Sequence, residues 1–126
     1  MKANELRIGN LVKWYDVSKV LELHSEKNKF DNVYIECEES FEWTEYNKLE
    51  PIPLTEEWLL KFGFLIIEIN GKFEATLPNF RYNIYWNKYT DGFLFCDGET
   101  VLINFNYVHE LQNLVFVLGQ RELTVA

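Results

Sequence analysis

The stretch Pro51–Phe64, PIPLTEEWLLKFGF, constrains this chain more than any other. Two prolines open it. Each fixes its own φ, lacks an N–H donor and pushes the preceding residue toward extended geometry, so residues 50–54 read as a stiff connector leaving a sheet. Thr55 has the chemistry of a helix N-cap, because its hydroxyl can accept from a free N–H of the first turn. Glu56 and Glu57 sit where a helix N-terminus favours negative charge. Leu54 and Leu59 have the spacing of a hydrophobic staple, and Gly63 stands where a left-handed residue ends a helix. The stretch predicts a helix over Thr55–Phe62, with Leu59, Phe62 and Trp58 turned to a core. It is a connector between two runs of short strands and carries no chemistry itself.

Before it, Leu6–Ile8 is a brief apolar start and Gly9-Asn10 a turn signal. Leu11–Tyr15 and Val17–His24 read as strands, with a reversal near Asp16–Ser18. Ser25–Asn32 is a polar loop. Val33, Ile35 and Cys37 alternate with Tyr34, Glu36 and Glu38, the period of a half-buried strand, and Phe41 and Trp43 alternate with Glu42 and Thr44 in the same way. Short strands closed by a proline exit predict a small bent sheet or SH3-like barrel over residues 1–50.

Beyond the helix, Phe64–Ile69 ends in Asn70-Gly71, a strong two-residue hairpin signal, and Lys72–Leu77 returns. Pro78-Asn79 turns into Phe80–Tyr89. There Phe80, Tyr82, Ile84 and Trp86 fall on one face; Arg81, Asn83, Tyr85, Asn87 and Tyr89 fall on the other. Asp91-Gly92 leads to Phe93–Cys96, and Asp97-Gly98 to Thr100–Phe105. This pattern predicts an antiparallel meander. Asn106 can cap a second helix, Tyr107–Leu118, ended by Gly119. Its apolar face, Tyr107, Leu111, Leu114, Val115 and Leu118, requires the meander to cover it. The expected fold is α+β: an N-terminal β unit (1–50), a linking helix (51–63), and a meander with a C-terminal helix (64–126), together forming one compact domain.

Ten Phe, seven Tyr and four Trp in 126 residues allow a sizeable core. The net charge of −8 opposes a non-specific grip on nucleic-acid phosphates. It also opposes binding to an acidic membrane surface. No apolar run has transmembrane length, and the N-terminus lacks a signal-peptide apolar region. Cys37 and Cys96 are isolated in strand-like runs, so both are expected to be reduced, buried thiols of a cytoplasmic protein.

Candidate chemistry is sparse. His109-Glu110 lacks the second histidine of a zinc-protease helix, and His24 is the only other histidine. No nucleophile triad, P-loop, dinucleotide fingerprint or metal-ligand spacing is present, which predicts a non-enzymatic protein without a metal or other cofactor. Two surfaces remain. Glu36, Glu38, Glu39, Glu42 and Glu45 form an acidic run without a basic residue. It is either a solvated face that discourages edge pairing or a patch that meets a basic partner. The row Arg81, Asn83, Tyr85, Asn87 and Tyr89 offers a guanidinium, amides and phenols, suited to a small polar or phosphorylated ligand or to a protein contact. An ordinary solvent face with cross-strand aromatic pairs would look the same.

The blocks Leu6-Arg7-Ile8-Gly9-Asn10, Pro51–Phe64 and Val108-His109-Glu110-Leu111-Gln112-Asn113-Leu114 resemble a family of small uncharacterised proteins. These are encoded by gut anaerobic bacteria, their phages and mobile elements. The blocks lie at the start, middle and end, so the resemblance spans nearly the whole chain, although the tail after Leu118 is shorter. It implies no activity and no catalytic residues, only the context of a phage-borne accessory protein in a bacterial cytosol. The expected function is binding of a host protein through the acidic and aromatic surfaces. The alternative is sequestration of a small nucleotide-like molecule, in a pocket between the β units or between subunits of a homo-oligomer. An enzyme of unrecognised class is the third reading.

Overall fold

The computed structural model describes residues 1, 5–23, 32–37 and 40–125. His24, Glu38, Glu39 and most of the polar loop at 25–32 lie outside them. The fold is α+β. Strands β1 (Leu11–Trp14), β2 (Asp16–Leu23), β3 (Asn32–Glu36) and β4 (Phe41–Glu45) form a four-stranded antiparallel sheet in chain order. A 3₁₀ turn, Tyr46–Lys48, and helix α1 (Glu56–Lys61) follow. Strands β5 (Leu65–Ile69), β6 (Lys72–Thr76), β7 (Asn83–Asn87), β8 (Phe93–Asp97) and β9 (Thr100–Phe105) form a five-stranded antiparallel meander. Helix α2 (Val108–Gly119) closes the regular structure.

The chain divides into two compact units, and each is discontinuous. One is Met1–Pro53 with Tyr107–Asn113; the other is Leu54–Asn106 with Leu114–Ala126. This division differs from the sequential boundaries the sequence pattern predicts. The connector splits at Pro53–Leu54, and α2 splits between Asn113 and Leu114.

In the first unit, Leu6, Val12, Val20, Val33, Ile35, Tyr46 and Leu49 make the core, with Met1, Trp14 and Cys37 packed against it. Leu6–Ile8 is not a strand. Ile8-Gly9 turns, with Gly9 at φ +96, so that Gly9 N–H donates to Val20 O and Val20 N–H to Asn10 O. The polarity of β4 is inverted relative to its alternation: Thr44 is buried, whereas Phe41 and Trp43 are exposed. Register is the cause. Thr44 pairs with buried Val33, so Trp43 must share the outer face with Tyr34.

In the second unit, α1 forms as its caps dictate. Thr55 Oγ1 accepts from Trp58 N–H at 3.3 Å. Gly63 takes φ +92, and Phe64 N–H closes the helix end onto Leu59 O at 3.0 Å. Leu54, Leu59, Phe62 and Phe64 are buried. At the hairpin, Asn70 and Gly71 both have positive φ, +54 and +79, as a type I′ turn requires. The long strand expected over Phe80–Tyr89 is shorter, because only Asn83–Asn87 pairs.

α2 departs from its expected face. The helix begins at Val108, one residue later than the Tyr107 start expected, and Glu110 Oε1 accepts from Tyr107 N–H at 3.1 Å, as in a capping box. Its buried residues are Val108, His109, Leu111, Gln112 and Val115; Tyr107 and Leu118 are exposed and Leu114 half-buried. Gly119 is the last helical residue, and Gln120, not Gly119, takes the left-handed conformation at φ +51. A Cβ on Gly119 would overlap Phe80 Cε1, so this glycine serves close approach to the ring.

Candidate functional site

The open face of the meander is fixed by register. Ile67 lies opposite Glu74, which lies opposite Tyr85; Ile69, Lys72 and Asn87 form the next rung. Strand alternation sets Leu65, Ile67 and Ile69 beside Glu74, Asn83 and Tyr85, while buried Ala75, Ile84, Phe95 and Phe105 face the other way. A cleft of about 410 Å3 opens there, lined by Ile67, Ile69, Lys72, Phe73, Glu74 and Tyr85, with Asn70 at its rim. This volume lies in the range of small-ligand sites.

Two of the lining residues, Glu74 and Tyr85, join Asn83 in an internal network. Asn83 Nδ2 donates to Glu74 Oε2 at 3.2 Å and to Tyr85 Oη at 3.0 Å. The Glu74 carboxylate, hydrogen-bonded to the Tyr85 hydroxyl, pushes that phenol above its ordinary value, with burial adding to the effect. The hydroxyl thus accepts from Asn83 while it bonds to the Glu74 carboxylate.

The five-residue row is only partly brought together. Asn83 and Tyr85 share the network, but Arg81 precedes β7 and forms an exposed bidentate pair with Asp97, through Nε at 3.1 Å and Nη2 at 2.5 Å. Asn87 Oδ1 accepts from Tyr89 N–H and Thr90 N–H and so shapes the turn. Tyr89 projects from that turn into solvent. Glu74, Lys72, Ile67 and Ile69 belong to the cleft although their sequence pattern singled none of them out. The Asn70-Gly71 hairpin was the available signal, since it fixes which residues of β5 and β6 face each other.

On the outer face of the N-terminal sheet, Tyr34 packs against Trp43 at 5.0 Å between ring centroids and against Phe41 at 6.2 Å. Glu36 pairs across from Phe41, and Glu45 follows Trp43 on the same face. Lys19 lies across from Glu36. Glu42 pairs with core residue Ile35, so alternation sends it the other way although it remains exposed. Thus Glu36 and Glu45 flank the aromatic ladder, Glu42 does not, and Glu38 and Glu39 lie outside the described residues.

A third cluster joins the segment around Gly9–Leu11 to α2 at Gln112 and Asn113. Gln112 is 1% exposed. Its Oε1 accepts from Leu11 N–H at 2.8 Å, and its Nε2 donates to Gly9 O at 3.1 Å. The side-chain amide thus completes the outer edge of β1 as a neighbouring strand would, next to the Lys13–Glu50 bridge. Asn10 Nδ2 donates to Asn113 Oδ1 at 2.8 Å, and Asn113 Nδ2 to Glu5 O at 3.2 Å. This cluster is structural. The sequence signal for it is a glutamine at the i+4 position of an apolar helical face that starts at Val108.

His109 is buried and stacks on Tyr107 at 6.0 Å. Burial pushes its imidazole below the usual histidine value, against the opposing pull of Glu110 and Glu5. Its Nδ1 has no hydrogen-bond partner among the described residues. Cys37 and Cys96 are free thiols, Cys96 buried and Cys37 half-buried, and burial raises the Cys96 thiol above its ordinary value. Among the described residues, no cluster of three or more His, Cys, Asp or Glu could hold a metal ion, and no helix is long and apolar enough to cross a membrane. Comparison with protein-family models, with curated proteins and with solved structures gives no match.

Proposed function

We propose that this protein is a non-catalytic binding module that captures a basic segment of another protein on the aromatic, acidic face of its N-terminal sheet. One observation carries the reading: Phe41 and Trp43 are 58% and 48% exposed, packed against Tyr34 and flanked by Glu36 and Glu45. Exposed aromatic faces attract guanidinium and ammonium groups, and adjacent carboxylates steer them and fix register. A chain with net charge −8 also attracts basic partners at long range. We propose further, on the resemblance of its sequence blocks alone, that it acts on a host protein in a bacterial cytosol as a phage or mobile-element accessory protein.

The test is an NMR titration with an arginine-rich peptide, beside an acidic peptide of equal length. The expected result is a shift of the Trp43 indole and its neighbours with the basic peptide alone. Trp43→Ala should weaken binding by about 30-fold, as loss of an interface anchor worth about 2 kcal/mol does. Equal binding of the acidic peptide, or no loss on Trp43→Ala, would overturn the reading.

The cleft on the meander supports a second reading, a small nucleotide-like ligand held between Lys72 and the Tyr85–Asn83–Glu74 network. Arg81 does not line that cleft, which leaves Lys72 as its single cationic wall residue among the described residues. A ligand-dependent rise in melting temperature, lost in Tyr85→Phe, is its expected signature.

A further inference from the structure

We propose that the protein pairs with a second copy of itself through β5, joining the two meanders into one continuous sheet. The inference is independent of the binding function above. β5 is the terminal strand of its sheet, and its sequence LIIEI holds no Pro, Lys or bulge. Those are among the devices that keep an exposed strand edge from pairing, and Glu68 is the one charge on the strand. Leu65, Ile67 and Ile69 are 63%, 51% and 66% exposed. The opposite edge, β9, is interrupted by a bulge against β8 between Phe95 and Cys96, and a bulge twists an edge away from pairing.

The occupant is a second copy because the strand is complementary to itself in only one full register. In a two-residue hairpin the residues flanking the turn form a hydrogen-bonded pair, and such pairs then alternate along the strands. Ile69, Ile67 and Leu65 therefore direct their backbone groups to β6, leaving those of Ile66 and Glu68 pointing outward. A two-fold axis at Ile67 sets Ile66 opposite Glu68 of the partner subunit, so outward groups meet outward groups. It uses all five residues and aligns Leu65, Ile67 and Ile69 with Ile69, Ile67 and Leu65 of the partner subunit on the open face. An axis at Glu68 would oppose two carboxylates directly, which is unfavourable. An axis at Ile66 would leave Glu68 and Ile69 without strand partners. The pairing also completes the cleft, because its outer wall is now β5 alone, at Ile67 and Ile69. In the pair, Leu65 and Ile67 of the partner subunit extend that wall.

Edge pairing buries less than the roughly 800 Å2 per partner of a standard interface, so association is expected in the micromolar range. Repulsion between two copies of charge −8 opposes it, so added salt should strengthen it. Light scattering after size exclusion of the full chain should give about twice the 15.1 kDa of one copy at high concentration. Ile67→Lys, at an exposed position, should return it to monomer; Leu102→Lys on β9 should not.

Thiol cross-linking tests the register. Directly opposed residues of a non-hydrogen-bonded antiparallel pair have Cα atoms about 4.5 Å apart, within reach of a disulfide. Ile67→Cys should cross-link on oxidation well above the wild-type background from Cys37 and Cys96. Leu65→Cys alone should not, but a mixture of Leu65→Cys and Ile69→Cys chains should. A wild-type chain that stays monomeric at about millimolar concentration, well above that expected micromolar range, would overturn the proposal. So would a dimer that survives Ile67→Lys and is lost in Leu102→Lys, or cross-linking of Leu65→Cys alone as efficient as that of Ile67→Cys.

Discussion

Replacing Gln112 by methionine removes both arms of the amide that completes the edge of β1 while nearly preserving the side-chain volume. Leu11 N–H loses its acceptor at 2.8 Å and Gly9 O its donor at 3.1 Å. An unpaired buried polar group costs about 1–3 kcal/mol, so two of them cost about 2–6 kcal/mol. This is a large share of the roughly 5–15 kcal/mol that holds a domain folded. Asn113→Ala is the comparator. Its bond to Glu5 is exposed, and it leaves one buried donor, the Asn10 amide, without its acceptor, so about 1–3 kcal/mol is expected, half the loss of Gln112→Met. Urea unfolding followed by circular dichroism reads the difference, with the m-value unchanged if the compactness of both states is unchanged. Amide exchange adds a local readout, since Leu11 N–H should lose protection in Gln112→Met beyond the global loss. A loss below about 1 kcal/mol with the Leu11 amide still protected would refute the reasoning, because an amide acting as a surrogate strand cannot be dispensable.

Lowering the pH should destabilise the fold through His109. Its folded value is depressed by burial, so the unfolded state binds a proton first; stability is unaffected above about pH 6.5 and falls as pH drops below it, until the folded imidazole also protonates. Thermal melts between pH 8 and 5 should show this slope, reduced in His109→Gln; an unchanged slope would exclude His109 as its source. Gly119→Ala should destabilise by up to about 2 kcal/mol, because the overlap with Phe80 offsets or exceeds the roughly 1 kcal/mol that alanine gains in a helix. Pairing it with Phe80→Leu should recover part of that loss, a non-additivity that a double-mutant cycle measures.

Local chemistry in the sequence determined the elements whose cause is local. Thr55, Gly63, Leu54 and Leu59 specify α1 through caps and a staple, each acting over a few residues. Asn70-Gly71 specifies the β5–β6 turn because few other pairs tolerate two positive φ values. The α+β order and the antiparallel meander follow from the same punctuation. The tertiary structure alone decided what depends on partners distant in sequence. Alternation marks two faces of β4 but does not say which is buried; pairing of Thr44 with Val33 decides it. Alternation also extended Phe80–Tyr89 into one row, and only the pairing limits β7 to Asn83–Asn87, diverting Arg81 to Asp97 and Asn87 to a turn. The expected α2 face failed at Gln112 for a related reason. Hydropathy assigns an amide to solvent, and it becomes a core residue only when a strand edge brings the N–H and C=O that satisfy it.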